Sequence, residues 1–154
     1  MSSDVPAPDI PVPDAVPDRR PASAGRLGLA TGHRDRMNRI QEFARVARTA
    51  LDPAQLDAIT ERLLARLRTL HPVSSSYGRF RYCIVELNQP MADAIADELL
   101  GPARRHTDAE LPRRAARRGL RRAVDTFTPG SGEGFRGYAA SVIAAEAHRL
   151  TNGS

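Results

Sequence analysis

The sequence predicts an all-α protein: a compact helical bundle of about five helices behind a disordered Pro/Asp-rich tail. Three observations predict it. From Arg36 onward apolar residues recur at three- and four-residue spacing. Helix start and stop signals punctuate that pattern at Asp52-Pro53, His71-Pro72, Gly101-Pro102 and Thr128-Pro129-Gly130. No strand-like alternation of useful length occurs anywhere in the 154 residues. That length allows one compact domain plus a tail, with a core large enough to need no covalent staple.

The tail is expected over residues 1–33 and the helical domain over 36–150. Six of the twelve prolines fall before residue 33, interleaved with Asp4, Asp9, Asp14 and Asp18. A segment so poor in amide donors and apolar bulk cannot offset its ordering entropy.

The first helix then starts near Arg36, with Ile40, Phe43, Ala44, Ala47 and Leu51 as its apolar stripe. Asp52-Pro53-Ala54-Gln55 supplies an N-cap Asp, a proline in the first turn and Gln at N3. It opens a second helix carrying Leu56, Ile59, Leu63, Leu67 and Leu70. A third helix is expected from Arg79 to Leu100 with Ile84, Leu87, Met91, Ile95 and Leu99 on one face, kinked at Pro90. Thr107-Asp108-Ala109-Glu110 reads as a capping box for a fourth helix that ends near Phe127. The fifth runs from Gly134 to Leu150.

Charge is the next signal. The net charge is +5 and unevenly placed: residues 1–18 carry no base, whereas residues 101–122 carry eight arginines. A basic patch of this kind points to an anionic partner. At 100° per residue, Arg113, Arg114, Arg117, Arg118, Arg121 and Arg122 cover one half of the fourth helix, opposite Ala116, Leu120, Ala123, Val124 and Phe127. Two readings stand: a solvated outer face, or a contact for an anion. Six like charges with no acid between them on the helix repel by ~0.2–0.5 kcal/mol per pair, which favours the contact.

Other chemistry is set aside. Cys83 is the one cysteine, so no internal disulfide forms, and with four histidines it shows no metal-ligand spacing. Gly130, Gly132 and Gly134 form G-x-G-x-G without a preceding strand and read as a turn, not a phosphate loop. Asp93, Asp97 and Glu98 read as a solvated acidic face of the third helix. No nucleophile, base and orienter converge, so no enzyme, cofactor or metal is expected. No apolar run approaches ~20 residues and no leader pattern precedes the tail, so a cytoplasmic location without membrane contact is expected.

One resemblance sharpens this. Gly119, Leu120, Ala123, Val124, Asp125, Phe127, Pro129, Gly132, Phe135, Tyr138, Ala139, Ile143, Glu146 and Arg149 follow, without a gap, the pattern G-L-x-x-A-hydrophobic-D-x-F-x-P, a Gly turn, and F-x-x-Y-A-x-x-x-I-x-x-E-x-x-R. Upstream, Val85-Glu86-Leu87-Asn88-Gln89-Pro90-Met91-Ala92 is similar to V-E-L-N-L-P-L-A. Over about 63–150 the chain resembles region 2 of bacterial RNA polymerase sigma factors, closest to the stress and sporulation type.

The resemblance implies a role in transcription initiation. It implies that Tyr138 stacks on a flipped promoter base, that Phe135 either stacks beside it or packs the helix, and that His148 and Arg149 reach DNA, Arg149 on a phosphate. Ser141 and Val142 stand where housekeeping members carry a tryptophan pair. Ala144, Ala145 and Ala147 line the base-reading stretch, where a methyl can touch a thymine methyl but not hydrogen-bond a base edge.

The fourth helix is the family's docking surface for the core polymerase. Here Leu111, Arg114 and Ala115 replace its acidic and amide groups, with Arg117 and Arg118 beside them. Against a surface that carries arginines these oppose docking by like charge. The family's regions 3 and 4 have no counterpart up to Ser154, which implies weak promoter binding by the domain alone. Three functions remain open: a sigma-factor-like protein touching polymerase, promoter DNA or both; a degenerate sigma domain that binds an anti-sigma factor without binding DNA; and nonspecific nucleic-acid binding through the arginine face.

Overall fold

A computed structural model describes residues 22–104 and 109–152. They form five helices: α1 (Ala22–Ala50), α2 (Pro53–Arg68), α3 (Ser75–Arg104), α4 (Glu110–Thr126) and α5 (Phe135–Asn152). The described residues contain no strand, as the sequence predicts. The chain divides into two units between Asp35 and Arg36, and the helices from Arg36 onward build a common core.

α1 starts at Ala22 rather than near Arg36. The last proline of the N-terminal cluster is Pro21, so every amide from Ala22 to Ala50 can join a helical ladder. Residues 1–21 of the expected tail lie outside the described residues, as do Thr107 and Asp108.

The contact face of α1 is rotated from the predicted stripe. Ala44 and Ala47 are buried with Leu87 of α3, whereas Phe43 is 52% exposed. Ala44 and Ala47 pack against Leu87, and two bonds to α3 fix that rotation. Gln41 donates to the Tyr82 hydroxyl at 2.6 Å, and Arg48 Nη1 donates to the Glu86 carbonyl.

The second of these bonds has a specific cause in the sequence. Pro90 has no amide hydrogen, so the Glu86 carbonyl one turn earlier lacks its helical donor. The Arg48 guanidinium supplies it from α1. The backbone keeps helical dihedrals through Pro90, and within α3 only Gly101 departs from them (φ 65°, ψ 169°). The kink expected at Pro90 is absent from the backbone dihedrals, and the expected stop at Gly101-Pro102 appears as a break at Gly101. α3 begins at Ser75, earlier than the expected Arg79, because the Ser74 hydroxyl accepts from the Tyr77 amide at 3.2 Å.

α2 opens with the predicted cap. The Asp52 carboxylate accepts from the Gln55 amide at 2.8 Å, and the Gln55 side chain accepts from the Asp52 amide at 3.0 Å. Its buried residues are Thr60, Leu64 and Leu67; Leu70 falls beyond the helix end. Asn88 of α3, also buried, donates to the Thr60 hydroxyl at 3.0 Å and to the Ile84 carbonyl at 2.8 Å. Leu99, expected on the core face of α3, is exposed.

α4 has Ala109 at its N-cap with no side-chain capping bond, and the expected capping box falls on Thr107 and Asp108, outside the described residues. Pro112 falls in the first turn, where its missing amide costs nothing. The other end is held by Arg68 of α2, whose guanidinium donates to the carbonyls of Val124 and Phe127, at 2.5 and 2.7 Å. Gly130 (φ 82°) and Gly132 (φ 88°) take the left-handed conformations that turn the chain into α5.

The core joins all of this. Leu64, Leu67, Ile84, Leu120, Val124, Phe127, Phe135 and Ile143 are buried together, with the rings of Phe127 and Phe135 edge to face at 5.4 Å. α4 and α5 pack against each other at Gly119, where a Cβ would stand 2.8 Å from the Ile143 Cα. Among the described residues no helix is long and apolar enough to cross a membrane.

Candidate nucleic-acid interface

The α4 arginines do not form the unpaired face that the helical projection suggests. Arg113 pairs with Asp97 at 3.0 Å and Arg117 with Asp93 at 3.0 Å. Both pairs are spaced by four residues on antiparallel helices, so they form two rungs of one ladder between α3 and α4. The next rung would match Gln89 with Arg121, and an amide replaces the carboxylate there. Among the described residues Arg121 is the one member of the six with no ion-pair partner.

The rest of the set turns outward or toward α5. Arg114 reaches Glu110 at 3.5 Å, while Arg118 and Arg122 approach Glu146 of α5 at 3.2 and 3.8 Å. The expected solvated acidic face on α3 is corrected in the same way: Asp93 and Asp97 are the partners that neutralise Arg117 and Arg113. The hydrogen bonds that Arg117 donates to Asp93 raise the Arg117 pKa above its ordinary value. Asp125 does the same for Arg81, at 2.6 Å. Asp93, Asp97 and Glu146 come from α3 and α5, where a projection of α4 alone cannot show them.

Between α4 and α5 the surviving exposed groups line a groove. Arg122, Thr126, Tyr138, Val142, Ala145, Glu146 and Arg149 enclose about 240 Å³. Tyr138 is half-buried. Its ring leans on Phe127 at 5.5 Å, and its hydroxyl shares a 2.7 Å hydrogen bond with the Thr126 hydroxyl. The ring is thereby fixed in place while part of it stays open to the groove.

Glu146 organises the far end. Its side chain is only 16% exposed and has Arg118, Arg122 and Arg149 at 3.2, 3.8 and 3.6 Å. Sequence reading took Glu146 only as a pattern match; its isolation as the sole acid in an alanine-rich run is the signal that could have marked it.

The other expected DNA contacts separate. Phe135 is 2% exposed and belongs to the core, so it offers no stacking surface. Phe127, across the α4–α5 turn, supplies the edge-to-face contact that seals it. Arg149 lines the groove; His148 is exposed on α5 but does not line it. Of the three alanines, Ala145 lines the groove, Ala144 does not, and Ala147 is buried.

Carboxylates from α2 and from the turn itself close the Gly-rich turn to phosphate. Glu61 accepts from the Phe135 amide at 3.3 Å at the start of α5, where the helix dipole would favour an anion. The adjoining hollow of about 350 Å³ also includes Glu133. Among the described residues no group of three His, Cys, Asp or Glu side chains could hold a metal ion. Cys83 packs beside Ala44, Ala47 and Leu87, and burial, ahead of the nearby Glu86 carboxylate, pushes its thiol pKa up.

Chemically, the groove offers an aromatic wall, two methyl-bearing floor residues and guanidinium groups at its rim. It can take one flat ring attached to an anionic chain. No protein-family model, curated protein or solved structure matches this chain.

Proposed function

We propose that the protein acts in transcription as a sigma-factor-like domain, binding single-stranded promoter DNA in the α4–α5 groove. An unstacked base lies beside Tyr138, and Arg122 and Arg149 at the groove rim hold the backbone. The observation that carries this reading is the half-buried tyrosine, anchored by Thr126 and Phe127, in a groove rimmed by arginines. Aromatic stacking plus a cationic track is how sequence-tolerant single-strand sites work. A role of this kind belongs in the cytoplasm with the nucleoid.

Contact with the polymerase would use the start of α4, where Leu111 is 50% exposed and the Arg114 side chain 73% exposed. That pairing fits an acidic, partly apolar protein surface and opposes the arginine-bearing one that the resemblance implies for the polymerase. A second reading follows from the ion pairs: Asp93, Asp97 and Glu146 neutralise much of the arginine set and weaken its field toward DNA. In that reading the domain binds a regulatory protein such as an anti-sigma factor and leaves DNA alone.

Fork-junction DNA with an exposed non-template strand separates the two. Binding should fall by about tenfold to a hundredfold in Tyr138→Ala, the value of one base–aromatic stack. Tyr138→Phe, which keeps the ring, should retain most of it. Absence of any DNA binding by the folded protein refutes the first reading.

A further inference from the structure

We infer that the hollow between α3 and α4 at Arg121 is a docking site for a carboxylate side chain, Asp or Glu, of a protein partner. The inference comes from a gap in the ion-pair ladder that joins these two helices. At four-residue spacing α3 presents Arg81, Val85, Gln89, Asp93 and Asp97, and α4 presents Arg113, Arg117, Arg121 and Asp125. Three rungs are closed: Asp97 with Arg113, Asp93 with Arg117, and Arg81 with Asp125. The α3 positions left for Arg121 are Val85 and Gln89, which line one hollow with it and carry no charge. The acids on the neighbouring rungs are committed elsewhere. Arg117 donates to both oxygens of Asp93 at 3.0 and 3.2 Å, and Arg81 to both oxygens of Asp125 at 2.6 and 2.9 Å. Among the described residues neither Arg121 nor Gln89 has a side-chain hydrogen bond or an ion pair.

The hollow encloses about 300 Å³, with Tyr82 and Glu86 also on its wall. A carboxylate entering it meets an uncommitted guanidinium and the Gln89 amide, the donor types that bind carboxylates best. Among the described residues Arg121 and Glu86 are the lining charges outside an ion pair, so one negative charge is wanted and Glu86 opposes a second. That favours a singly charged carboxylate over a phosphate monoester. A nucleic-acid strand would lay its next phosphates along rungs that Asp93 and Asp125 already neutralise, whereas a side chain brings its charge to the gap alone. A lone guanidinium holds a free acid weakly in water, so the carboxylate needs a protein surface to carry it. This hollow shares no lining residue with the α4–α5 groove, and the inference stands whether or not that groove takes DNA.

The test titrates the full chain with a capped peptide carrying one glutamate between two leucines, and with its glutamine and phosphoserine counterparts. Nitrogen–proton NMR spectra report the Arg121 side-chain N–H and the Val85 and Gln89 amides. The glutamate peptide should shift these signals and bind about tenfold tighter than the glutamine peptide, the value of a charge-assisted hydrogen bond. Arg121→Ala should remove that difference. Gln89→Glu should remove it as well, by placing an internal carboxylate in the gap, and should hold or raise the urea midpoint, so its loss of binding is not a loss of fold. Fork-junction DNA should bind Gln89→Glu as it binds the parent. Equal binding of the glutamate and glutamine peptides, no response to either, or full glutamate-peptide binding by Gln89→Glu overturns the inference. Tighter binding of the phosphoserine peptide, or loss of DNA binding in Gln89→Glu, overturns it in favour of a phosphate ligand.

Discussion

Gly119→Ala adds one methyl group at the closest approach between α4 and α5. The new Cβ would lie 2.8 Å from the Ile143 Cα, 3.2 Å from the Glu146 Cβ and 3.3 Å from the Val142 carbonyl oxygen. Carbon atoms rest at ≈ 3.5–4.0 Å, so the two backbones must part by roughly 1 Å. Neither obstacle at 2.8 or 3.3 Å is a side-chain end that can swing away, since both belong to the α5 backbone. Such overpacking costs about 1–3 kcal/mol, against a helix-propensity gain of about 0.8–1.0 kcal/mol on replacing Gly by Ala. The net loss is about 0–2 kcal/mol, which lowers a urea midpoint by up to about 1 M at ordinary denaturant sensitivity. Gly78→Ala is the control: nothing lies within 4 Å of its Cβ, it sits in α3, and it should stabilise by about 0.4–1 kcal/mol. Urea unfolding followed by circular dichroism measures both. Equal stabilisation by the two substitutions would refute the proposed α4–α5 approach.

Three further outcomes are expected. Arg48→Ala should cost about 1 kcal/mol or more by orphaning the Glu86 carbonyl, and Pro90→Ala should largely remove that cost by restoring the backbone donor; denaturant titration of the four proteins measures the coupling, and additive effects would contradict it. Arg68→Ala should destabilise by about 1–3 kcal/mol, and Arg68→Lys should recover only part of the loss, because a single ammonium cannot serve both the Val124 and Phe127 carbonyls in the same geometry. Cys83 gives a pH dependence: burial raises its native pKa, so its contribution is full below the unfolded thiol value of about 8.5 and declines as pH rises through the native one. Unfolding free energies between neutral and alkaline pH, kept reduced, should show that decline, and Cys83→Ala should flatten it.

The fold was largely legible because its signals are local. The Asp52–Gln55 cap, the α2 leucines and the Gly130–Gly132 turn need only a few neighbouring residues to be read. What sequence reading missed depends on partners far along the chain. Phe43 turned outward because α1 docks through Ala44, Ala47 and Arg48, and Arg48 is there to answer a proline in a different helix. The arginine run looked unpaired because Asp93, Asp97 and Glu146 come from α3 and α5. The site was half legible: Tyr138 and Arg149 line the groove, Phe135 went to the core, and Glu146 gained its role only once Arg118 and Arg122 were placed beside it.

The central claim is that the α4–α5 groove receives an unstacked base of single-stranded DNA. Photocrosslinking tests it most directly: an oligonucleotide with one 5-iodouracil in a single-stranded stretch is irradiated with the full chain, and the adduct is mapped by mass spectrometry. The account predicts attachment at Tyr138, lost on competition with unmodified thymine oligonucleotide. Attachment instead at Tyr77 or Tyr82 of α3, or none under conditions where the DNA is bound, would contradict it.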